Sequence, residues 1–109
     1  MSALRILIAD DHAVVRAGLR ALLESRSGWE VCAEAADGRE AVEKATKAKP
    51  DVAVLDIGMP LLNGVEATRR IRKASAHTEV LILTMHESDE LVQQVGRILA
   101  LPVPRVVRR

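Results

Sequence analysis

A chain of 109 residues has room for one domain at most. Sixteen basic against fifteen acidic residues leave a formal net charge of +1, which gives no reason to expect nucleic acid or an acidic membrane as a partner, and the lone Cys32 excludes an internal disulfide. Nearly half the chain (49%) is hydrophobic, but it holds no Phe, no Tyr and one Trp, so the core has to be built from Ala, Val, Leu and Ile.

The first element in the chain is "LRILIA", Leu4 to Ala9, a short apolar run broken only by Arg5 and ending at Asp10 and Asp11. It reads as a buried strand. Residues 13 to 25 set Val15, Leu19, Leu22 and Leu23 at i, i+4, i+7 and i+8, one face of an amphipathic helix, and Gly28 closes that section. "WEVCAEA", Trp29 to Ala35, predicts a second strand, with Cys32 as a small strand hydrophobe. Asp37-Gly38 turns the chain into a helix with Ala41, Ala45 and Ala48 on one face and Glu40 and Lys44 spaced as an i,i+4 pair; Pro50 stops it.

"DVAVLD" predicts the third strand and "IGMPLLNG" a loop in which Met59-Pro60 packs and Asn63-Gly64 turns. A third helix follows, with Ala67, Ile71 and Ala74 on its apolar face. Glu79 to Met85 predicts the fourth strand. Ser88 then caps a fourth helix whose apolar face is Leu91, Val95, Ile98 and Leu99. The last ten residues, "ALPVPRVVRR", break this alternation, and Arg105, Arg108 and Arg109 crowd the C-terminus. Strands that are almost wholly apolar, alternating with helices, predict an α/β fold with a parallel sheet covered on both faces. No cationic leader precedes a long apolar stretch and no run approaches membrane length, so the expected protein is soluble and cytoplasmic, with no membrane or direct nucleic-acid partner.

Ligands of open parallel sheets bind beyond the carboxyl ends of the strands. Here those ends carry Asp10 and Asp11, Asp56, and Thr84. If the first and third strands are neighbours, three carboxylates converge. Unless a hard divalent cation joins them, one of them has to stay protonated. Magnesium suits a few oxygen ligands plus water. Simpler roles compete for each residue: Asp10 and Asp11 as helix caps, Asp56 as a turn residue. His12, His77 and His86 read as solvated loop or helix-start residues.

The stretches "RILIADDHAVVRAGLRALLE", "ADGREAVEKATKAKPDVAVLDIGMPLLNGVEATRRIR" and "VLILTMHESDELV" resemble the receiver domain of bacterial two-component response regulators, in wording nearest the NarL/FixJ subfamily with its LuxR-type output. The resemblance runs from about Leu4 to Val95. It implies a flavodoxin-like fold of strand order 2-1-3-4-5, with Asp56 as phosphoacceptor and a sensor histidine kinase as donor. It further implies Asp11 as a direct Mg2+ ligand, Asp10 as a ligand through water, a carbonyl from Gly58, and Thr84 on the phosphoryl oxygens. As a chain that accepts phosphate on itself, it is not expected to be an enzyme in the ordinary sense. A Mg2+-dependent phosphatase with an Asp nucleophile wants a second Asp two residues on, where Gly58 stands.

After Val95 the chain departs from the family. A gap-free count from Thr84 puts Val106 where the family has Lys and Val103 where it has a switch aromatic. The expectations are therefore a receiver over residues 1–99 and an atypical tail over 100–109. The fifth strand and fifth helix are expected to be missing or degenerate, with no DNA-binding output domain, as in a truncated or altered product. An exposed fourth strand predicts self-association through the face of the fourth strand and helix. The alternative function is a degenerate receiver that binds partners without phosphorylation.

Overall fold

The structure is a computed structural model and describes residues 4–56, 59, 61–62, 64–83 and 106–107. Eight elements follow in order: β1 (Leu4–Ala9), α1 (Ala13–Glu24), β2 (Trp29–Ala35), α2 (Gly38–Ala48), β3 (Val52–Asp56), α3 (Gly64–Ala74), β4 (Glu79–Leu83) and β5 (Val106–Val107). All pairings are parallel and the sheet order is β2-β1-β3-β4-β5. The expected fourth helix from Ser88 lies outside the described residues.

Alternation along the strands builds two cores. Ile6, Ile8, Val31, Val52, Val54 and Leu81 face Leu19 and Leu23 of α1. Leu7, Ala9, Ala53, Leu55, Val80 and Ile82 face Ala41 and Ala45 of α2 and Ala67 and Ile71 of α3. The face with one helix is filled by large aliphatic side chains. The face with two carries alanines, which let both helices lie close to the sheet and to each other. Burial on both faces is why the strands read as continuous apolar runs.

The N-terminal edge of the sheet is tied by polar groups. The amide of Arg5 donates to Asp51 Oδ2 (2.9 Å), its guanidinium to the carbonyl of Ala48 (2.6 Å), and the amides of Asp51 and Glu79 to the carbonyls of Arg5 and Asp51. Thr78, fully buried, donates its hydroxyl to the carbonyl of Pro50 (2.7 Å) and lies 2.7 Å from the Ser75 hydroxyl. α2 ends in the left-handed Lys49 (φ 46°), whose amide reaches the carbonyl of Ala45; it begins at Asp37, which accepts from the amide of Glu40.

The tail joins the sheet. Val106 and Val107 pair with Val80 and Leu81, so the fifth strand is degenerate, two residues long, rather than missing. Two expectations change with it. β4 is not the open edge along that stretch. Val106, which the gap-free count put at the site end, instead lies opposite the second residue of β4, toward the end remote from the carboxylates.

One contact locks the loop after β3. A Cβ on Gly38 would run into the backbone carbonyl of Leu62, so only glycine lets α2 begin there. Gly38→Ala is expected to cost about 3 kcal/mol in urea unfolding. Gly18→Ala, on α1 with nothing within 4 Å of the new methyl, should gain about 0.5–1 kcal/mol in the same assay. Thr78→Val, which strips a donor from the Pro50 carbonyl and a partner from Ser75, is expected to lose about 1–3 kcal/mol.

Candidate functional site

Sheet register makes the site. β1 and β3 pair through Ile6↔Val52 up to Ala9↔Leu55, so the next residues along, Asp10 and Asp56, leave neighbouring strands side by side. Asp10 is 2% exposed and held at three points. Its amide donates to the carbonyl of Ala35 (3.0 Å), its carbonyl accepts from the Arg16 guanidinium (2.6 Å), and its carboxylate accepts from the amide of His12 (2.8 Å). Arg16 in turn meets Glu34 of β2 at 3.3 Å. Asp56 is half-buried and Asp11 exposed.

His12 Nδ1 lies 3.1 Å from an oxygen of Asp10 and 3.1 Å from an oxygen of Asp11. One ligand atom each from Asp10, Asp11, His12 and Asp56 fall within 4.8 Å of one another. The carboxylates raise the pKa of His12: the hydrogen bond to Asp10 leads, the charge of Asp11 follows, partial burial opposes, and Asp10 and Asp56 add smaller Coulombic contributions. The set offers several hard oxygens at one sheet edge, next to residues held by backbone contacts, which fits a divalent cation.

The capping alternative for Asp10 and Asp11 does not hold. His12 occupies the N-cap position of α1, without a side-chain cap bond, and the first turn has no acidic residue. Asp10 binds the amide of His12 ahead of the helix. Met59, 4% exposed, turns the loop after Asp56 back into the core beside Leu55, Ala67 and Ile71, as its packing role predicted. Gly58, Pro60, Thr84 and His86 lie outside the described residues. His77 sits at the other edge of the sheet, its ring 3.1 Å from the carbonyl of Lys49. Trp29 starts β2 opposite Leu4, far along the strand from Asp10, beneath the Arg26 guanidinium.

Sequence reasoning left His12 among the solvated histidines and gave Arg16 no role. The signal was present: His12 follows Asp10 by two residues, within reach of a turn back onto the carboxylate, and Arg16 follows His12 by one helical turn.

Residues 6–100 match the response regulator receiver domain family. The oxygen regulatory protein NreC of Staphylococcus haemolyticus is 44% identical over 95 residues, 86% of this chain and 44% of that protein, so the chain spans less than half the length of this curated relative. A two-component response regulator of the LuxR family from Aurantimonas sp. SI85-9A1 superposes with a TM-score of 0.85 at 37% identity, covering 97% of this chain and 90% of the other. The receiver domain of the response regulator NarL from Mycobacterium tuberculosis gives 0.77 at 28% identity, over 99% and 84%. No helix among the described residues is long and apolar enough to cross a membrane. With its sheet order, its aspartates at the strand ends and these relatives, the chain belongs to the response regulator receiver domain family, as the receiver of a two-component regulator of the NarL/LuxR type.

Proposed function

We propose that Asp56 is the phosphoacceptor and that a sensor histidine kinase is the donor. The observation that carries this is the pairing of β1 with β3, which brings Asp56 alongside the buried Asp10, with Asp11 and His12 in the same cluster. A carboxylate oxygen of Asp56 attacks phosphorus. The phosphorus–nitrogen bond of the donor phosphohistidine breaks, the imidazole leaves with the bonding electrons and takes up a proton, and an acyl phosphate remains on Asp56.

Asp10, Asp11, Asp56 and the carbonyl of Gly58 are the proposed holders of Mg2+, with Asp10 acting through water. When bound, that cation supplies charge neutralisation for the cluster and for the oxygens of the transferring group. Arg16 holds the backbone carbonyl of Asp10, and Met59 is buried in the core three residues beyond Asp56. Thr84 is the proposed contact to the phosphoryl oxygens. The receiver unit is taken as residues 1–99, with the tail adding the short β5. The match to an oxygen regulatory protein makes a role in an oxygen-responsive pathway one candidate context for the parent regulator.

Treatment with a small acyl phosphate and Mg2+ is expected to add one phosphoryl group, located by mass spectrometry on Asp56. Incorporation that survives Asp56→Asn, or that proceeds fully in chelator, would overturn the assignment. No incorporation into a folded sample would favour the degenerate binding module. Mg2+ titration followed by amide NMR should move the signals of residues 10–12 and 56, and Asp11→Ala should abolish the response; Trp29 fluorescence is a poor reporter, since that ring sits at the far end of the sheet.

A further inference from the structure

We propose that Arg16 is the positioning residue of the carboxylate edge: bridged to Glu34 of β2, it fixes the peptide between Asp10 and Asp11 and so sets where those two side chains stand. The inference rests on the cation-binding role proposed above, and it concerns a residue outside that cluster.

Arg16 lies in the first turn of α1 and is half-buried. Its Nη1 donates to the carbonyl of Asp10 at 2.6 Å, while its Nε meets Glu34 Oε1 at 3.3 Å. That carbonyl belongs to the peptide that leads into Asp11. The preceding peptide is tied as well, by the amide of Asp10 on the carbonyl of Ala35. Both peptide planes that flank Asp10 are therefore fixed from β2, one directly and one through Arg16. A peptide turns as a plane, so holding its oxygen also holds the direction in which the exposed Asp11 leaves the chain.

Glu34 is itself held. Its second oxygen takes Arg20 Nη1 at 2.6 Å, Arg20 Nε lies 3.4 Å from Glu24, and Glu24 accepts the amide of Val31 on β2. Lys44 of α2 donates to the backbone carbonyl of Glu34. Arg16, Arg20 and Glu24 follow at i, i+4 and i+8, one stripe of α1 laid along β2. The signs alternate through Arg16, Glu34, Arg20 and Glu24, so the run is neutral as a whole. That balance has a use. An unpaired guanidinium beside a cation site would repel the ion. Glu34 both aims Arg16 and offsets its charge, which leaves Arg16 to act by geometry. A lysine offers one nitrogen where the guanidinium presents two in a fixed fork.

Mg2+ titrations followed by amide NMR, with nitrogen-15 relaxation of the metal-free protein, test this on the unmodified chain, Arg16→Met, Arg16→Lys, Glu34→Gln and Arg26→Gln. Mg2+ affinity is expected to fall about tenfold in Arg16→Met and to stay low in Arg16→Lys. Without metal, the order parameter of the Asp11 amide should drop from about 0.85 toward 0.6 in both. Glu34→Gln should weaken binding too, and adding it to Arg16→Met should change little, since the two residues act as one unit. Arg26→Gln removes a cation beside Trp29, at the far end of the sheet, and should leave both readouts unchanged. An unchanged affinity or an unchanged order parameter in Arg16→Met overturns the inference, as does full rescue by Arg16→Lys or strict additivity with Glu34→Gln. Where Arg16→Met does not fold, Arg16→Lys and Glu34→Gln carry the same comparison. If the unmodified chain gives no Mg2+ response, the proposed cation site falls, and the order parameter of Asp11 alone decides the role of Arg16.

Discussion

The register between β1 and β3 is the constraint on which the rest of the molecule depends. It is fixed by packing, not by the site. A slip of one residue would send Ile6 and Ile8 to the alanine-rich face and Leu7 and Ala9 to the face of α1, exchanging large and small side chains across two filled cores. The same register brings Asp10 and Asp56 out side by side. Two unit negative charges about 4 Å apart repel by about 4 kcal/mol at an effective dielectric near 20. The apolar core therefore brings like charges together at one edge, which is what a cation of the kind proposed above would neutralise.

The two edges of the sheet divide the work. At the N-terminal edge, Arg5, Asp51, Ser75 and Thr78 bond one another and the backbone across β1, β3 and β4. At the C-terminal edge, carboxylates gather around one exposed imidazole, and Asp10 among them is held at its backbone by the carbonyl of Ala35 and the guanidinium of Arg16. Sites of this kind concentrate strain that the remainder of the fold has to hold in place. Here the opposing polar edge and the two aliphatic cores supply that rigidity, with the partly buried Trp29 ring packed against the first of them.

β1 and β2 were legible to the residue: β1 as a nearly unbroken apolar run, and β2 as a partly alternating stretch between Gly28 and the Asp37-Gly38 turn. The apolar faces of α1, α2 and α3 were equally plain: Leu19, Leu23, Ala41, Ala45, Ala67 and Ile71 are all buried where periodicity set them. The sheet order was not readable from periodicity; it came with the family resemblance, since nothing local in β1 says which strands flank it. His12 is the exposed helix-start residue that its place in the sequence predicted; what was not legible is that its ring bends back to a carboxylate two residues earlier. The degenerate fifth strand was expected, but its register was not legible. A gap-free count assumes that the chain between β4 and β5 has a fixed length, and the pairing of Val106 with Val80 shows that register, not count, decides where a tail residue sits.

The loop beyond Asp56 connects these threads. Met59 is buried among Leu55, Ala67 and Ile71, and Leu62 packs against the same cluster with its carbonyl over Gly38. Between the two anchors, Leu61 adopts φ 67°, a left-handed conformation unfavourable for a leucine, and is 72% exposed. A non-glycine residue keeps such a backbone only where its surroundings over-determine it. The conformation is therefore imposed by the anchors on either side and not by Leu61 itself. Met59 and Leu62 thus tie the segment after β3 to the face of α2 and α3, through the glycine that lets α2 start against Leu62. Packing on the alanine-rich face therefore extends from the start of α2 to Met59, three residues beyond the end of β3 at Asp56.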